Sequence, residues 1–282
     1  MCGRPSFMTI LQIEKRDLTN PRSTYLRGFR GNLTSQYGED GVIEKIFSLL
    51  GTTNKYCVEF GAWDGQLYSN VYNLLTNRSW SGTLIEGNAG KFSDLERTYA
   101  GRSGLKLVNR FVDLGANRLD EILAAANAPA APDLMSIDVD GMDWHIWRSL
   151  ARFRPRVVIV EFNPSIPNDV LFVQDENFSF NHGCSLRALV ALAKEKRYEL
   201  AVTTERNAFF IQASDFPKLL IADNSIDAIH DDSDYQTKFF QLYDGTLVIA
   251  GCTTLLWKGW PISLEDIQVV PLALRRFEDA AR

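Results

Sequence analysis

The chain is poor in several features that would settle a function quickly. Its four cysteines, Cys2, Cys57, Cys184 and Cys252, are scattered, with no C-x-x-C pair and no zinc spacing. A disulfide framework or thiolate metal site is not expected, and Cys57, inside a predicted strand, reads as a small buried hydrophobe. No apolar run approaches the about 18 residues that span a bilayer. The opening "MCGRPSFMTILQIEKRD" lacks the apolar core of an export signal, so the expected location is cytoplasmic. Basic charge is also short: the formal net charge is −5, which argues against nucleic acid or an anionic membrane surface as partner. Histidine is scarce, with only His145, His182 and His230 to offer an imidazole base.

What is present is a regular alternation. Residues 1–33 carry Pro5 and Pro21 and read as an irregular N-terminal arm. "SQYGEDGVIEKIFSLLG" then places apolar residues at Val42, Ile43, Ile46, Phe47, Leu49 and Leu50, a helical spacing closed by Gly51. Strands are predicted at "YCVEF", "GTLIE", "LKLVNRFV", "DLMSID" and "RVVIVEF", with helices over 67–77, 90–99, 117–126 and 143–151 between them. Continuous apolar strands alternating with helices predict a parallel sheet covered on both faces. After a loop to about residue 182 comes the helix "SLRALVALAKEKR", then "YELAVTT" and "NAFFIQ" joined by "ERN", a hairpin spacing. The expectation is an α/β Rossmann-like, doubly wound seven-stranded sheet, mostly parallel and ending in an antiparallel hairpin strand, which is the class I methyltransferase layout. The core is expected over 34–212, with 213–282 a C-terminal cover segment bearing exposed aromatics.

The stretch "KYCVEFGAWDGQLYSN" runs from a strand into a glycine turn. Ligands in open α/β sheets bind beyond the carboxyl ends of the strands, where strand order reverses. Gly61 and Gly65 permit a tight turn and close approach. The dinucleotide fingerprint G-x-G-x-x-G is missing. Its middle is replaced by Ala62, Trp63 and Asp64, and Asp64 would repel a pyrophosphate. Glu59 and Asp64 suit an amino group or a sulfonium instead. Glu86 closes the next strand about 20 residues on, where an acidic side chain accepts ribose hydroxyls. Together these residues specify a nucleoside with a positive or zwitterionic tail, S-adenosylmethionine. Asp113, just past the following strand, and Asp138 join the candidate cofactor set.

A second acidic cluster ends the later strands: Asp138, Asp140 and Asp143 in "DLMSIDVDGMDWHIW", and Glu161 and Asn163 in "RVVIVEFNPSIP". Crowded carboxylates raise one another's pKa unless a cation intervenes. Asp138, Asp140, Glu161 and Asn163 are therefore candidate ligands for Mg²⁺ or another divalent cation, which would acidify an acceptor hydroxyl. Without metal, Asp138 or Asp140 would meet the methionine amino group, and Asp143 would favour the start of the next helix. "DVDG" also admits an aspartate-nucleophile phosphatase, with Asp138 as nucleophile and Asp140 as acid/base, although Met142 replaces the usual hydroxyl residue, or a nucleotide-sugar glycosyltransferase. His182, beside the predicted substrate edge, is the candidate general base. His145 reads as a packing residue and His230 as part of a solvated acidic loop.

"SQYGEDG", "VEFGAWDG", "SGTLIEG", "SIDVDGMDWHIW", "VIVEFNP" and "NAFFI" together resemble the FkbM-type branch of the S-adenosylmethionine-dependent methyltransferases over roughly residues 34–212. "IDVDG" is similar to that family's I-D-V-E-G, with Asp140 in place of Glu. The resemblance implies that Glu59, Gly61 and Gly65 line the cofactor pocket and that Glu86 holds the ribose. It also implies O-methylation of a sugar or other small-molecule hydroxyl. Within "SQYGEDG", Ser35 either caps the following helix or introduces a lid of Gln36, Tyr37 and Asp40 over the cofactor. A non-catalytic nucleoside-binding scaffold is the rival. The expected partner is a small-molecule or glycan acceptor, with monomer and homo-oligomer both open.

Overall fold

In a computed structural model, which describes residues 20–179, 181–255 and 259–275, the chain divides into a unit Leu18–His230 and a second that includes Asp231–Arg282. In the first unit, Asn20 caps the short helix α1 (Pro21–Thr24) by accepting from Arg22 N, and Pro21 supplies a fixed φ at its start. A 3-10 turn follows over Tyr25–Phe29 and buries Leu26 completely. The part of the expected irregular arm that is described, from residue 20, is thus helical over 21–29. The rest of the arm lies outside the described residues.

Helix α2 (Glu39–Leu50) ends at Gly51, whose φ of +65° is open to glycine. The alternation then proceeds as β1 (Tyr56–Phe60), α3 (Tyr72–Asn77), β2 (Ser81–Glu86), α4 (Ala89–Thr98), β3 (Leu105–Asn109), α5 (Leu119–Ala125), β4 (Leu134–Ile137), α6 (Asp143–Ser149) and β5 (Val157–Glu161). Helix α7 (Leu186–Glu195), strands β6 (Tyr198–Thr203) and β7 (Asn207–Gln212) and helix α8 (Ile226–Ile229) complete the unit. Two boundaries differ from the sequence pattern by three residues or more. The helix expected from residue 67 begins only at Tyr72, because Asp64 and Ser69 bind the amides of the intervening residues and Tyr68 takes a φ of +61°. β3 stops at Asn109, and Arg110 N turns to Glu86 O at 3.2 Å.

The sheet order is β3-β2-β1-β4-β5-β7-β6, parallel from β3 to β5, with β7 antiparallel to both its neighbours. This is the doubly wound class I methyltransferase layout. Alternate strand residues face opposite sides, so each face gains its own core. Val58, Phe60, Met135, Ile137, Val158 and Val160 pack with α5, α6 and α7. Cys57, Leu84, Leu134, Val157 and Ile159 pack with α2, α3 and α4. Strand order reverses between β1 and β4, so a crevice opens above their carboxyl ends.

The second unit holds the hairpin β8 (Thr237–Gln241) and β9 (Leu247–Gly251), the two-residue strands β10 (Thr254–Leu255) and β11 (Trp260–Pro261), and α9 (Leu264–Ile267). Tyr243 and Trp260 are exposed there. No helix among the described residues is long and apolar enough to cross a membrane.

Candidate active site

A cavity of about 700 Å³ occupies the crevice at the reversal point. Its wall takes Glu59, Gly61, Ala62 and Trp63 from the end of β1, Glu86 from β2, Asp138 and Asp140 from the end of β4, and Glu161 from β5. The parallel register forces this convergence: every βα repeat returns the chain in the same direction, so all strand ends share one edge.

Gly61 explains the tightness of the turn. Its φ is +73°, and a Cβ there would lie 1.9 Å from the Asp138 carbonyl oxygen. The backbones leaving β1 and β4 touch at this point. Trp63, at φ +51°, aims its amide at Glu86 Oε2, 2.8 Å away. Asn88 N donates to Glu86 Oε1 at 2.7 Å. Glu86 is thus fixed by two backbone donors while lining the cavity. Glu59 is fixed similarly: Ser69 Oγ donates at 2.7 Å and Asn70 N at 2.8 Å. Burial nevertheless pushes the Glu59 carboxyl up to about 7.

Burial and then the neighbouring Asp143 and Asp140 push Asp138 up to about 8. Burial, with Asp138 beside it, holds Glu161 well above the usual carboxylate range. One oxygen each from Asp138, Asp140 and Glu161 lie within 4.8 Å of one another. Asp143 keeps the turn "DVDG" in shape by accepting from Val139 N and Gly141 N, both at 2.9 Å, and burial raises it to about 6. Asp140 itself sits at φ +52°.

Other expected site residues fall outside the cavity wall. Asp64 spends Oδ1 on the amides of Gln66 and Leu67. Gly65 gives room for packing: a Cβ there would meet Leu95 and Tyr99 at 2.5 Å. Asp113 accepts from the amides of Gly115 and Asn117, and the Asn117 amide in particular holds its carboxyl low. Asn163 donates to His182 O at 2.9 Å and accepts from Ser165 N at 3.0 Å, so its amide organises the loop after β5. His182 is exposed, with its backbone N bound to Gln174 Oε1. His145 is buried with Nε2 2.7 Å from Gln174 O. His230, expected on a solvated loop, is buried instead. It follows α8, meets Phe162 at 5.1 Å between ring centroids and shares a 3.2 Å hydrogen bond with Thr203 Oγ1.

"SQYGEDG" folds around its two acids. Asp40 Oδ2 accepts from the amides of Leu33, Thr34 and Ser35, and Ser35 Oγ accepts from Asp40 N. Glu39 is fully buried and accepts from Thr204 Oγ1 and Asn207 Nδ2. Of this segment, Gln36 lines the cavity.

Sequence patterning missed Arg206, Arg110, Phe111 and Phe178 in the wall. Phe111 and Phe178 are exposed rings in edge contact, with centroids 4.9 Å apart. Phe178 reaches the site from the long loop after β5, where no periodicity marks it. The one available signal for Arg206 was its place in the hairpin turn, which reaches the same edge as the strand ends.

No family model matches the chain, and no curated protein matches it either. Solved structures that resemble it include the CMeT domain of the citrinin polyketide synthase, at 11% identity over 62% of this chain and 51% of that one, with a TM-score of 0.40. The CurJ carbon methyltransferase gives 9% identity, 62% and 52% coverage and 0.41. An S-adenosylmethionine-dependent methyltransferase from Clostridium acetobutylicum gives 10%, 62% and 90%, and 0.41. The chain spans about half the length of the first two. At identities and scores this low, resemblance says nothing of activity.

Proposed function

We propose that the chain is an S-adenosylmethionine-dependent methyltransferase of FkbM type, directed at a hydroxyl of a sugar or other small molecule. The observation that carries this reading is the Trp63–Glu86 hydrogen bond: it joins the glycine turn to an acidic strand end on the wall of a cavity at the reversal point. The fit is good. A volume of about 700 Å³ suits a ligand of nucleoside size. Each Glu86 oxygen accepts one backbone donor and keeps lone-pair capacity for a ribose hydroxyl. Glu59 and Asp138, on neighbouring strands, are carboxyls whose charged forms a cationic ligand would stabilise.

S-adenosylmethionine, when bound, supplies a methyl group on a positively charged sulfur, open to attack in line with the leaving sulfur. The chain's own part is to hold the nucleoside on Glu86, to exclude water beneath Phe111 and Phe178, and to take a proton from the acceptor hydroxyl. Glu161 and Asp138 suit that last task, since a carboxyl raised above its ordinary range is a stronger base than an ordinary one.

Metal assistance is the second reading, favoured by the oxygens of Asp138, Asp140 and Glu161 within 4.8 Å of one another. Such an all-oxygen set suits Mg²⁺ or Ca²⁺. Isothermal titration with S-adenosylmethionine and S-adenosylhomocysteine tests the donor site. Binding below millimolar is expected, and no heat at millimolar ligand would leave only the scaffold reading. Methyl transfer insensitive to EDTA and to Asp140→Ala would remove the metal.

A further inference from the structure

The turn between β6 and β7 brings Arg206 to the cavity, and it is fastened more firmly than a hairpin connection requires. Phe162 N donates to Arg206 O at 2.8 Å, which ties the turn to the end of β5. The fully buried Glu39 accepts from Thr204 Oγ1 at 2.6 Å and from Asn207 Nδ2 at 3.1 Å, residues on either side of Glu205 and Arg206. The same carboxylate accepts from Tyr37 N at 2.7 Å. Arg30 pairs with Glu205 at 2.9 Å. The Arg206 guanidinium stands 5.8 Å from the centre of the Tyr37 ring, a cation–π distance. Both acids of "SQYGEDG" are therefore structural. Asp40 folds the loop that carries Gln36, and Glu39 joins that loop to the turn that carries Arg206.

Among the described residues, two cationic side chains line the cavity, Arg110 after β3 and Arg206 between β6 and β7. The sheet order places them at opposite ends, with Glu86, Glu59, Asp138 and Glu161 on the strands between. The field of Arg206 reaches Asp138, Glu161 and Tyr37. With its ribose on Glu86, a donor with a cationic end would direct that end toward the carboxyls of Glu59, Asp138 and Glu161, and so along the wall toward Arg206. That end is an amino acid, a zwitterion. Its ammonium is met by carboxylates already on the wall, whereas its carboxylate needs a cation.

We propose that Arg206 binds the α-carboxylate of the donor's amino-acid end, with Glu39 and Tyr37 as the residues that position it. This rests on the reading of the cavity as an S-adenosylmethionine site, and the two can fail separately. A guanidinium–carboxylate pair is a charge-assisted contact, roughly twice as strong as a hydrogen bond between neutral groups, and so discriminates for a ligand that carries the carboxylate.

The test pairs a change in the protein with a change in the ligand. S-adenosylhomocysteine and its decarboxylated analogue, S-adenosyl-3-thiopropylamine, are titrated calorimetrically into the wild type, Arg206→Met, Arg206→Lys and Glu39→Gln, with a melting curve for each variant. The wild type is expected to prefer S-adenosylhomocysteine by about tenfold or more. Arg206→Met should abolish the preference while binding the decarboxylated analogue within about twofold of the wild type. Arg206→Lys should restore part of it, and Glu39→Gln should reduce it. A preference that survives Arg206→Met overturns the proposal. So does an equal loss for both ligands, the signature of a residue that only supports the fold or neutralises Asp138 and Glu161. If the wild type binds S-adenosylhomocysteine without preferring it over the analogue, this inference falls and the donor site stands. If it binds neither, both fall.

Discussion

The backbone amide of Trp63 donates to the Glu86 carboxylate at 2.8 Å, across the ends of two neighbouring strands. The contact depends on Trp63 adopting φ +51°, a conformation that costs a bulky residue about 1–2 kcal/mol. The same conformation fixes an acidic side chain against the cavity, and the Lys91 ammonium lies 4.1 Å from the centre of the Trp63 ring, a cation–π distance.

Glu86→Ala should weaken S-adenosylhomocysteine binding by about 1–3 kcal/mol, the loss of a charge-assisted acceptor for ribose hydroxyls. Glu86→Gln keeps one acceptor oxygen and should fall between. Calorimetric titration of the three proteins reads this directly. An alanine variant with unchanged affinity would contradict the ribose assignment.

Gly61→Ala should destabilise the protein by about 2 kcal/mol or more. The new methyl would lie 1.9 Å from the Asp138 carbonyl oxygen at a φ of +73°. Neither the backbone of β1 nor that of β4 can give way without losing register. The urea midpoint is the measurement. A variant as stable as the wild type would show that the two strand ends do not meet as described.

Stability should fall as pH rises from the ordinary carboxylate range toward neutral. Glu59 titrates at about 7 in the folded chain against 4.5 unfolded, and burial is the cause. Between those values the native state holds a proton that the unfolded state has released, so rising pH favours unfolding, and the loss is complete above about 7. Asp143, at about 6, and Asp138, at about 8, act in the same direction. Urea denaturation at pH 5 and pH 8 should show wild type losing more stability than Glu59→Gln. Equal slopes for the two would remove Glu59 as a contributor. A cationic ligand should reverse part of the trend by binding the ionised forms more tightly.

Asp133→Ala should cost about 3 kcal/mol or more while leaving ligand affinity unchanged. Asp133 is fully buried at the opposite edge of the sheet, before β4. It accepts from the amides of Thr53, Asn54 and Lys55 and pairs with Arg156 at 2.9 Å. Its removal strands three part-buried amide donors far from the cavity, each at a cost of about 1–3 kcal/mol, and leaves Arg156 with Asp215 as its remaining carboxylate partner. Melting curves and calorimetry on one preparation check both halves, and a change in ligand affinity would link the two edges of the sheet.

The alternation of apolar strands and amphipathic helices was legible because each has a period set by backbone geometry. β1 and β7 fall on the segments read from pattern alone, "YCVEF" and "NAFFIQ". The acidic residues Glu59, Glu86 and Glu161 were legible as a group for the same reason. Once strands are parallel, residues at their carboxyl ends share an edge. His230 and the arm at 21–29 were not legible: their burial depends on packing against β6 and its neighbours, which no local pattern records.

The amino-acid sequence alone determined the doubly wound sheet and the acidic character of its upper edge, since periodicity and strand polarity are local properties summed along the chain. Only the tertiary structure decided which acids remain turned to the cavity. Asp64, Asp113 and Asp143 are carboxyl side chains like Glu59 and Asp138, yet their oxygens go to backbone amides in their own turns and they line no part of the cavity. It likewise decided that Arg206, 120 residues after Glu86, stands on the same wall. The reason is physical: a carboxylate binds whichever donor the folded loop presents first, and loop conformation is set by contacts between segments far apart in the chain.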